Sequence, residues 1–387
     1  MDDRSRTRLM ASPRIWLFAD VLGGFGGIET YLDALARRAY ADGLDVRVAV
    51  ARNGPAPFLD ELKSIGIPVY DQKPVLGDRF FIRHRLLIHY VTKSLRPGDW
   101  VFCVRQPMPE LYLPLVRAVH RRRGRIAASW MFSPEYLPPP PGPVGEDFRR
   151  AVAETDLVVS VSECGREQFL KVYGYEGPVA VIRYHNREFL ADALPLPDGP
   201  PWNFAFLGRV EIEQKNLDTI LDAFASVNRR RPDTRFNIYG GGPDIERLKA
   251  QADALGIGDA VTLYGRYDHR SDLPRILAAN HVFLYASNFE GGPCFSLIEL
   301  LQAGRFVIAS PVGGIPDIYV DRPEAGTLVA PDREAPIAEA MAVALARLEA
   351  ETIEPAAIRR VYIENFHGEI AHAQWCEALD LNQRPVE

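Results

Sequence analysis

Two cations follow an apolar run in the second half of the sequence, FLGRVEIEQKNLDTILDAF (206–224). Arg209 and Lys215 stand between this run and a helical pattern that we expect to begin at about Asn216. Arginine offers a planar fork of donors and lysine a compact charge, so the pair suits a diphosphate. A solvated charged loop would carry the same two residues, and the pair alone leaves both interpretations open.

Two carboxylates occur in a later segment, NFEGGPCFSLIELLQAG (288–304). We expect Glu290 to end a strand and a helix to start near Phe295, with Glu299 in its first turn. Carboxylates accept hydrogen bonds from sugar hydroxyls, and a helix N-terminus can hold a phosphate. The alternative is that Glu299 only complements the helix dipole. The sequence has no acidic cluster that resembles a metal site.

A glycine-rich turn follows the first apolar run of the chain, LGGFGGIET (22–30). Glycines before a helix allow an anion to approach the backbone closely, where the helix offers free N–H groups. The spacing fails the dinucleotide pattern G-x-G-x-x-G, because Gly24 and Gly26 would require glycine where Glu29 stands. A nicotinamide site is therefore disfavoured, and a simple sharp turn remains the alternative to an anion site.

Apolar runs rich in β-branched and aromatic residues alternate with helical patterns along the chain. We expect strands at 14–20, 46–51, 100–104, 125–131, 157–162, 179–184, 202–208, 235–240, 261–265, 281–287, 305–310 and 326–330. Their continuous apolar character predicts burial on both faces of parallel sheets. The alternation occurs twice, on either side of PLPDGPP (195–201), which places a domain boundary near residue 195. The predicted fold is α/β, with two doubly wound, Rossmann-like domains facing a central cleft.

The order and spacing of these motifs resemble the GT-B glycosyltransferases, and more narrowly the retaining family four. The resemblance is strongest over 202–330, where it includes GGGPDIERLKAQADALGIGDAVTLYGRY (240–267) and the glutamate segment. In the first half it depends on GGIETYLDALARRAYADGLDVRV (26–48) and VVSVSECGREQFLKVYG (158–174). It implies an acceptor-side domain over 1–195 and a nucleotide-sugar domain over 196–363, with helices in 364–387 returning to the first domain.

The resemblance also implies roles for the residues that match the family's motifs. Arg209 and Lys215 are similar to the pair that neutralises the donor diphosphate in place of a metal ion. Glu299 resembles the residue that binds the nucleotide ribose, and Glu290 the one that contacts the transferred sugar. The other donor-binding residues that it implies, for phosphate and base, are Gly26, Gly27, Gly208, Tyr264, Arg266, Phe295, Ser296 and Leu297.

Three stretches depart from the family's pattern. Eight residues separate Glu290 from Glu299, one more than is usual, because GGPCFS (291–296) is longer. RYHNREF (183–189) replaces the usual turn after the last strand of the first domain. SWMFSPEY (129–136) occupies the place of a histidine that the family commonly has. His185 and Glu135 are candidate acceptor-side residues in these stretches, with a structural role as the alternative for each.

Composition and charge restrict the partners and the compartment. Of the 387 residues, 47% are hydrophobic and 25% charged, which is typical of a soluble globular protein and excludes a largely disordered one. Four cysteines are far apart and the polar start has no apolar signal core, so we expect a reduced, cytoplasmic protein. Residues 1–195 carry 27 Lys and Arg against 23 Asp and Glu, and the remainder carries 18 against 28. The acidic second half argues against nucleic-acid binding.

Two basic helical candidates in the first half, at 83–96 and 111–125, could hold the protein at the inner face of an anionic membrane. A solvated face over an ordinary core-facing helix is the alternative. LPPPPGPVG (137–145) is too rich in proline for a helix or a central strand, so we expect a loop or a stiff connector there.

The sequence therefore predicts a metal-independent, retaining hexosyl- or deoxyhexosyltransferase without a cofactor. It would move a sugar from a nucleoside diphosphate to a glycan or lipid-linked acceptor, as in the synthesis of cell-surface polysaccharide. A nucleotide-sugar epimerase or phosphorylase on the same frame is one alternative. A non-catalytic protein that binds nucleotide sugars within an assembly complex is another.

Overall fold

The computed structural model describes residues 13–22, 26–72, 80–131, 138–184, 188–269 and 271–381. The chain divides into two compact units. The first unit consists of residues 1–161, 166–187 and 368–387, and the second of residues 162–165 and 188–367. Glu135 and His185, the acceptor-side candidates, lie outside the described residues, as do Gly23 and Gly24 of the glycine-rich turn.

The first unit contains a seven-stranded parallel sheet with the strand order β3-β2-β1-β4-β5-β6-β7. Its strands are β1 (Ile15–Leu22), β2 (Val46–Arg52), β3 (Val69–Gln72), β4 (Trp100–Cys103), β5 (Arg125–Trp130), β6 (Leu157–Ser160) and β7 (Val179–Val181). The order reverses between β1 and β4, and ligands of doubly wound sheets bind outside the strand ends at such a reversal.

The second unit contains a six-stranded parallel sheet with the strand order β10-β9-β8-β11-β12-β13. Its strands are β8 (Trp202–Leu207), β9 (Thr234–Tyr239), β10 (Val261–Gly265), β11 (Val282–Tyr285), β12 (Phe306–Ala309) and β13 (Gly326–Leu328). This is the Rossmann order 3-2-1-4-5-6, with the reversal between β8 and β11. The predicted α/β class with two Rossmann-like domains is confirmed.

Helices connect the strands in both units. They are α1 (Gly27–Ala41), α2 (Pro57–Ser64), α3 (Phe80–Ser94), α4 (Pro109–Arg121), α5 (Gly142–Ala153), α6 (Glu163–Tyr173), α7 (Ile212–Lys215), α8 (Leu217–Asn228), α9 (Ile245–Ala254), α10 (Leu273–Ala278), α11 (Phe295–Ala303), α12 (Pro316–Tyr319), α13 (Glu334–Glu349), α14 (Pro355–Asn365) and α15 (Gly368–Ala378). A 3-10 turn covers Gly258–Ala260. No helix in the described part of the chain is long and apolar enough to span a bilayer.

The segment that precedes β8 is fixed to the second unit by buried arginines. Arg305 is fully buried and donates to the carbonyl oxygens of Leu194 at 3.0 Å and Pro195 at 2.7 Å. Arg359 pairs with Glu188 at 2.9 Å. The division between the units therefore falls between residues 187 and 188, whereas the proline-rich sequence signal lies near residue 195.

The last helix belongs to the first unit. The indole nitrogen of Trp100 in β4 donates to the carbonyl oxygen of Leu379 at 2.9 Å, and the ring of Trp375 packs edge-on against Phe102. His372 in α15 lies 2.8 Å from the carboxylate of Asp42. These contacts bury one face of α15 against residues that are distant in sequence.

Local differences from the sequence expectation have simple physical causes. The apolar-run pattern does not predict strand β3, because its sequence VYDQ is half polar and its residues are only half-buried at the sheet edge. The expectation that 137–145 excludes a helix is wrong for its last four residues. Helix α5 starts at Gly142, and Pro143 lies in its first turn. The N–H groups of a first turn have no partner within the helix, so the N–H that proline lacks is not missed there.

Candidate active site

The loop after β8 carries the two predicted cations. Gly208 has φ 155°. A Cβ added at Gly240 would lie 1.7 Å from the carbonyl oxygen of Gly208. The backbones of the loops after β8 and β9 therefore pack directly against each other. The short helix α7 follows and ends at Lys215, and Asn216 then adopts a left-handed conformation with φ 55° before α8. The main helix thus begins at Leu217, after the interruption at Asn216.

Lys215 and Glu290 form a buried ion pair. The Lys215 Nζ lies 2.5 Å from Glu290 Oε1, and their side chains are 10% and 5% exposed. Gln214 donates to Glu290 Oε2 at 3.3 Å. The Gln214 Oε1 accepts from Arg209 Nη2 at 2.7 Å, so Arg209 connects to the pair through Gln214. Arg209 also contacts Glu211 at 2.8 Å, and its side chain is 63% exposed.

Glu290 lies in a loop and not at a strand end, so that expectation is wrong. Strand β11 ends at Tyr285, and Glu290 follows five residues later. The backbone around Glu290 is held by the loop after β12. Gly313 has φ 55°, and a Cβ added there would lie 2.3 Å from the carbonyl oxygen of Glu290. The Gly314 N–H donates to Gly291 at 3.0 Å. The contact between these two loops supports the backbone of Glu290 where its side chain pairs with Lys215.

Helix α11 starts at Phe295, as the sequence predicts, but Glu299 is its fifth residue. It therefore lies beyond the first turn, which corrects the sequence expectation, and its interaction with the helix dipole is correspondingly weaker. The Glu299 side chain is 2% exposed, and its Oε1 lies 2.5 Å from His269 Nε2. Ser296 in the first turn hydrogen-bonds the hydroxyl of Tyr285, and Leu297 is buried.

The end of β10 and the segment after it pack against this helix and against the end of β9 and the loop that follows. Tyr264 is half exposed and stacks on Tyr239, with ring centroids 4.4 Å apart and planes 11° from parallel. Arg266 covers Gly241, where an added Cβ would lie 2.7 Å from Arg266 Cγ. The pKa of Tyr267 is raised by burial and further by the charge of Glu299.

The thiol of Cys294 is affected by the charges of three site residues, Lys215, Glu290 and Glu299. Cys294 caps the N-terminus of α11, and burial raises the pKa of its thiol to about 12. The charges of Glu290 and Glu299 contribute to this raised pKa, and the charge of Lys215 opposes the rise. Both carboxylates and the buried cation therefore lie near one thiol, which stays protonated at neutral pH.

The structure thus brings most of the predicted residues to one end of the second sheet. Tyr264 is the penultimate residue of β10, and the others follow the carboxyl ends of β8, β10 and β11, namely Gly208, Arg209, Lys215, Arg266, Glu290, Phe295, Ser296, Leu297 and Glu299. Gly26 and Gly27 belong to the first unit, where Gly27 begins α1 and both residues are exposed.

Sequence reasoning missed Gln214 and His269. Gln214 lies between the two predicted cations, so its neighbours could have indicated it. His269 is part of no motif, and only its contact with Glu299 reveals it. Among the described residues, no group of three or more His, Cys, Asp and Glu side chains could hold a metal ion.

Two family models match the chain. The model described as Glycosyltransferase Family 4 matches residues 25–183, and the model described as Glycosyl transferases group 1 matches residues 187–358. The two matches correspond to the two Rossmann-like sheets. A pair of Rossmann-like domains is typical of GT-B glycosyltransferases. The chain therefore belongs to this class, the GT-B glycosyltransferases of the family 4 type.

Curated relatives match part of the chain. It is 25% identical over 173 residues to one subunit of the phosphatidylinositol N-acetylglucosaminyltransferase of Arabidopsis thaliana, covering 44% of this chain and 38% of that protein. It is 27% identical over 202 residues to the GDP-mannose-dependent alpha-(1-6)-phosphatidylinositol monomannoside mannosyltransferase of Mycolicibacterium smegmatis, covering 47% of this chain and 51% of that protein. The chain therefore spans about half or less of the length of these relatives.

Solved structures match nearly the whole fold. The lipopolysaccharide outer core galactosyltransferase WaaB superimposes with a TM-score of 0.72 at 20% identity, over 95% of this chain and 99% of that one. Anabaena Alr3699/HepE in complex with UDP gives a TM-score of 0.74 at 18% identity, also over 95% and 99%. At these identities the similarity shows the fold.

Proposed function

We propose that this chain is a retaining, metal-independent glycosyltransferase that moves a sugar from a nucleoside diphosphate to a hydroxyl of a glycan or lipid-linked acceptor. The observation that carries this proposal is the Lys215–Glu290 pair with Arg209 joined to it through Gln214. It places two cations beside a carboxylate at the carboxyl end of a Rossmann-like sheet, where ligands of such sheets bind.

The chemistry follows from the charge that the reaction creates. When the bond between the sugar carbon and the phosphate oxygen breaks, negative charge accumulates on the departing diphosphate. Arg209, with its exposed guanidinium, and Lys215 would stabilise that charge as fixed cations. The first N–H groups of α11, at Phe295–Leu297, would add a helix N-terminus. In this proposal the two cations and the helix N-terminus stabilise the diphosphate charge that a metal ion stabilises in other enzymes.

The carboxylates would hold the rest of the donor. Glu290, fixed by Lys215 and Gln214, would accept hydrogen bonds from the transferred sugar. Glu299 would accept from the ribose hydroxyls, and Tyr264 and Arg266 would border the base. In the first unit, Gly26 and Gly27 would approach the phosphate. The acceptor oxygen would bond to the sugar carbon on the face that the diphosphate leaves, and its proton would pass to the departing oxygen, so no protein base is required.

An anionic membrane surface is a proposed partner of the first unit. Ile82, Leu86 and Tyr90 recur every four residues along α3 and are exposed by 48%, 49% and 41%. Arg85 and Lys93 are exposed on the same helix. An apolar stripe beside cations is the pattern of a helix that lies in a lipid interface. The names of two relatives include phosphatidylinositol, which supports a lipid-linked acceptor and hence a location at a membrane surface.

Arg209→Ala tests the proposal directly. Because Arg209 is exposed and its ion pair contributes little to stability, the variant should fold normally. Its kcat for release of nucleoside diphosphate should fall by about 100- to 1000-fold, as for loss of one transition-state charge partner. Arg247→Ala is the matched control, since Arg247 is 65% exposed and pairs with Asp218 in the same unit.

The assay uses UDP- and GDP-linked hexoses and is repeated in EDTA. Full activity of the Arg209 variant, or activity that disappears in EDTA and returns with a divalent ion, contradicts the proposal. A donor that is isomerised without an acceptor identifies an epimerase, and a donor cleaved only with inorganic phosphate identifies a phosphorylase. Nucleotide binding without any turnover identifies the non-catalytic binding protein.

A further inference from the structure

Glu299 has an unusual environment for a carboxylate. It is 2% exposed, and a buried carboxylate is costly unless hydrogen bonds compensate for the lost water. Among the described residues, the hydrogen bond from His269 is the one that reaches its carboxylate. Because a carboxylate only accepts hydrogen bonds, the Nε2 of His269 must carry the proton in this contact. Neutral and protonated imidazole can both donate in this way.

His269 reaches Glu299 from a different part of the second unit. Glu299 lies in α11, whereas His269 lies four residues after the end of β10, in the segment of Tyr264 and Arg266. Tyr267 in the same segment senses the charge of Glu299. The His269 side chain is 49% exposed, whereas the Glu299 carboxylate that it contacts is buried.

We propose that His269 is a positioning residue for the donor nucleotide. Its bond to Oε1 fixes the orientation of the Glu299 carboxylate and leaves Oε2 to accept the hydroxyls of a ribose. The inference depends on the proposed function, in which Glu299 receives the ribose. It adds to the proposed ribose contact of Glu299 a second residue, His269, that orients this carboxylate.

Removal of His269 should lower the affinity only for ligands that carry ribose hydroxyls. Without His269 the Glu299 carboxylate can rotate, and this change weakens its bond to a hydroxyl. Loss of one such charge-assisted hydrogen bond corresponds to about a tenfold lower affinity. A ligand without ribose hydroxyls never made that bond, so its affinity should be the same with or without His269.

Isothermal titration calorimetry with UDP and GDP and with their 2′,3′-dideoxy forms tests the inference. For whichever base the wild-type chain binds, His269→Ala should weaken the ribose form about tenfold and leave the dideoxy form unchanged. His269→Gln, which can still donate to the carboxylate, should restore most of the affinity. His367→Ala is the control, because His367 also lies near a glutamate of the same unit, Glu188, at 3.5 Å.

The other possible outcomes contradict either the inference alone or the proposed function as well. Unchanged affinity of the His269→Ala variant for the ribose form overturns the inference alone. An equal loss for the ribose and dideoxy forms shows that His269 only supports the local structure, and also overturns it. If the wild-type chain binds neither nucleoside diphosphate, the proposed function fails, and the inference fails with it.

Discussion

Removal of Lys215 should affect the stability of the second unit as well as its chemistry. At 2.5 Å, with both side chains at most 10% exposed, the attraction between Lys215 and Glu290 is roughly 7 kcal/mol at an effective dielectric constant of about 20. Desolvation offsets much of this attraction in the intact pair. Lys215→Ala removes the attraction but leaves the Glu290 charge buried, so the free energy of unfolding should fall by about 3–5 kcal/mol.

A double-mutant cycle separates the ion pair from the volume change. Lys215→Met keeps most of the side-chain volume, and Glu290→Gln keeps the shape without the charge. The double variant buries no unpaired charge and should be more stable than either single variant, with a coupling energy of about 2 kcal/mol or more. Unfolding is followed by urea titration, with Lys249→Ala as the control because Lys249 is exposed on α9. Additive effects of the two substitutions, or a loss below about 1 kcal/mol for Lys215→Ala, would refute the reasoning.

Two further predictions concern pH and the membrane. Burial lowers the pKa of His281 to about 4, because its ring is enclosed where it accepts from the Asn203 N–H. Since the unfolded chain binds this proton near pH 6.5, the stability that neutral His281 provides is complete above about pH 6.5 and is lost as the pH falls toward 4, by roughly 1–3 kcal/mol. His281→Asn should flatten this part of the stability profile, and an unchanged slope would disprove the assignment. Arg85→Ala with Lys93→Ala should weaken binding to vesicles of phosphatidylserine and phosphatidylcholine by about 1 kcal/mol per charge at low salt. Equal binding of wild type and variant in a flotation assay would remove the proposed membrane surface.

The strands were predictable because a strand that is buried on both faces has a continuous run of apolar residues. All twelve expected strands are present. The structure contains one further strand that was not expected, β3, an edge strand with two polar residues out of four. The helix start at Phe295 was equally visible, because the glycines and proline before it interrupt any earlier helix.

The details of the site depended on tertiary contacts that a linear pattern does not contain. Glu290 was expected at a strand end, yet it lies five residues beyond β11 because the loop with Gly313 supports its backbone. The sequence left open whether Lys215 lies in a solvated charged loop or at a diphosphate site, and the structure shows it buried against Glu290. His269 and Glu299 are 30 residues apart, and no sequence motif joins them.

The most direct test of the central claim is the anomeric configuration of the sugar that the enzyme first releases or transfers from α-linked UDP- and GDP-hexoses, followed by proton NMR. We expect turnover of at least one donor, with an α-configured first product, and turnover near the limit of detection for Arg209→Ala. A β-configured first product from a competent donor would contradict retention. Undiminished turnover by the Arg209 variant would contradict the role of the cation pair.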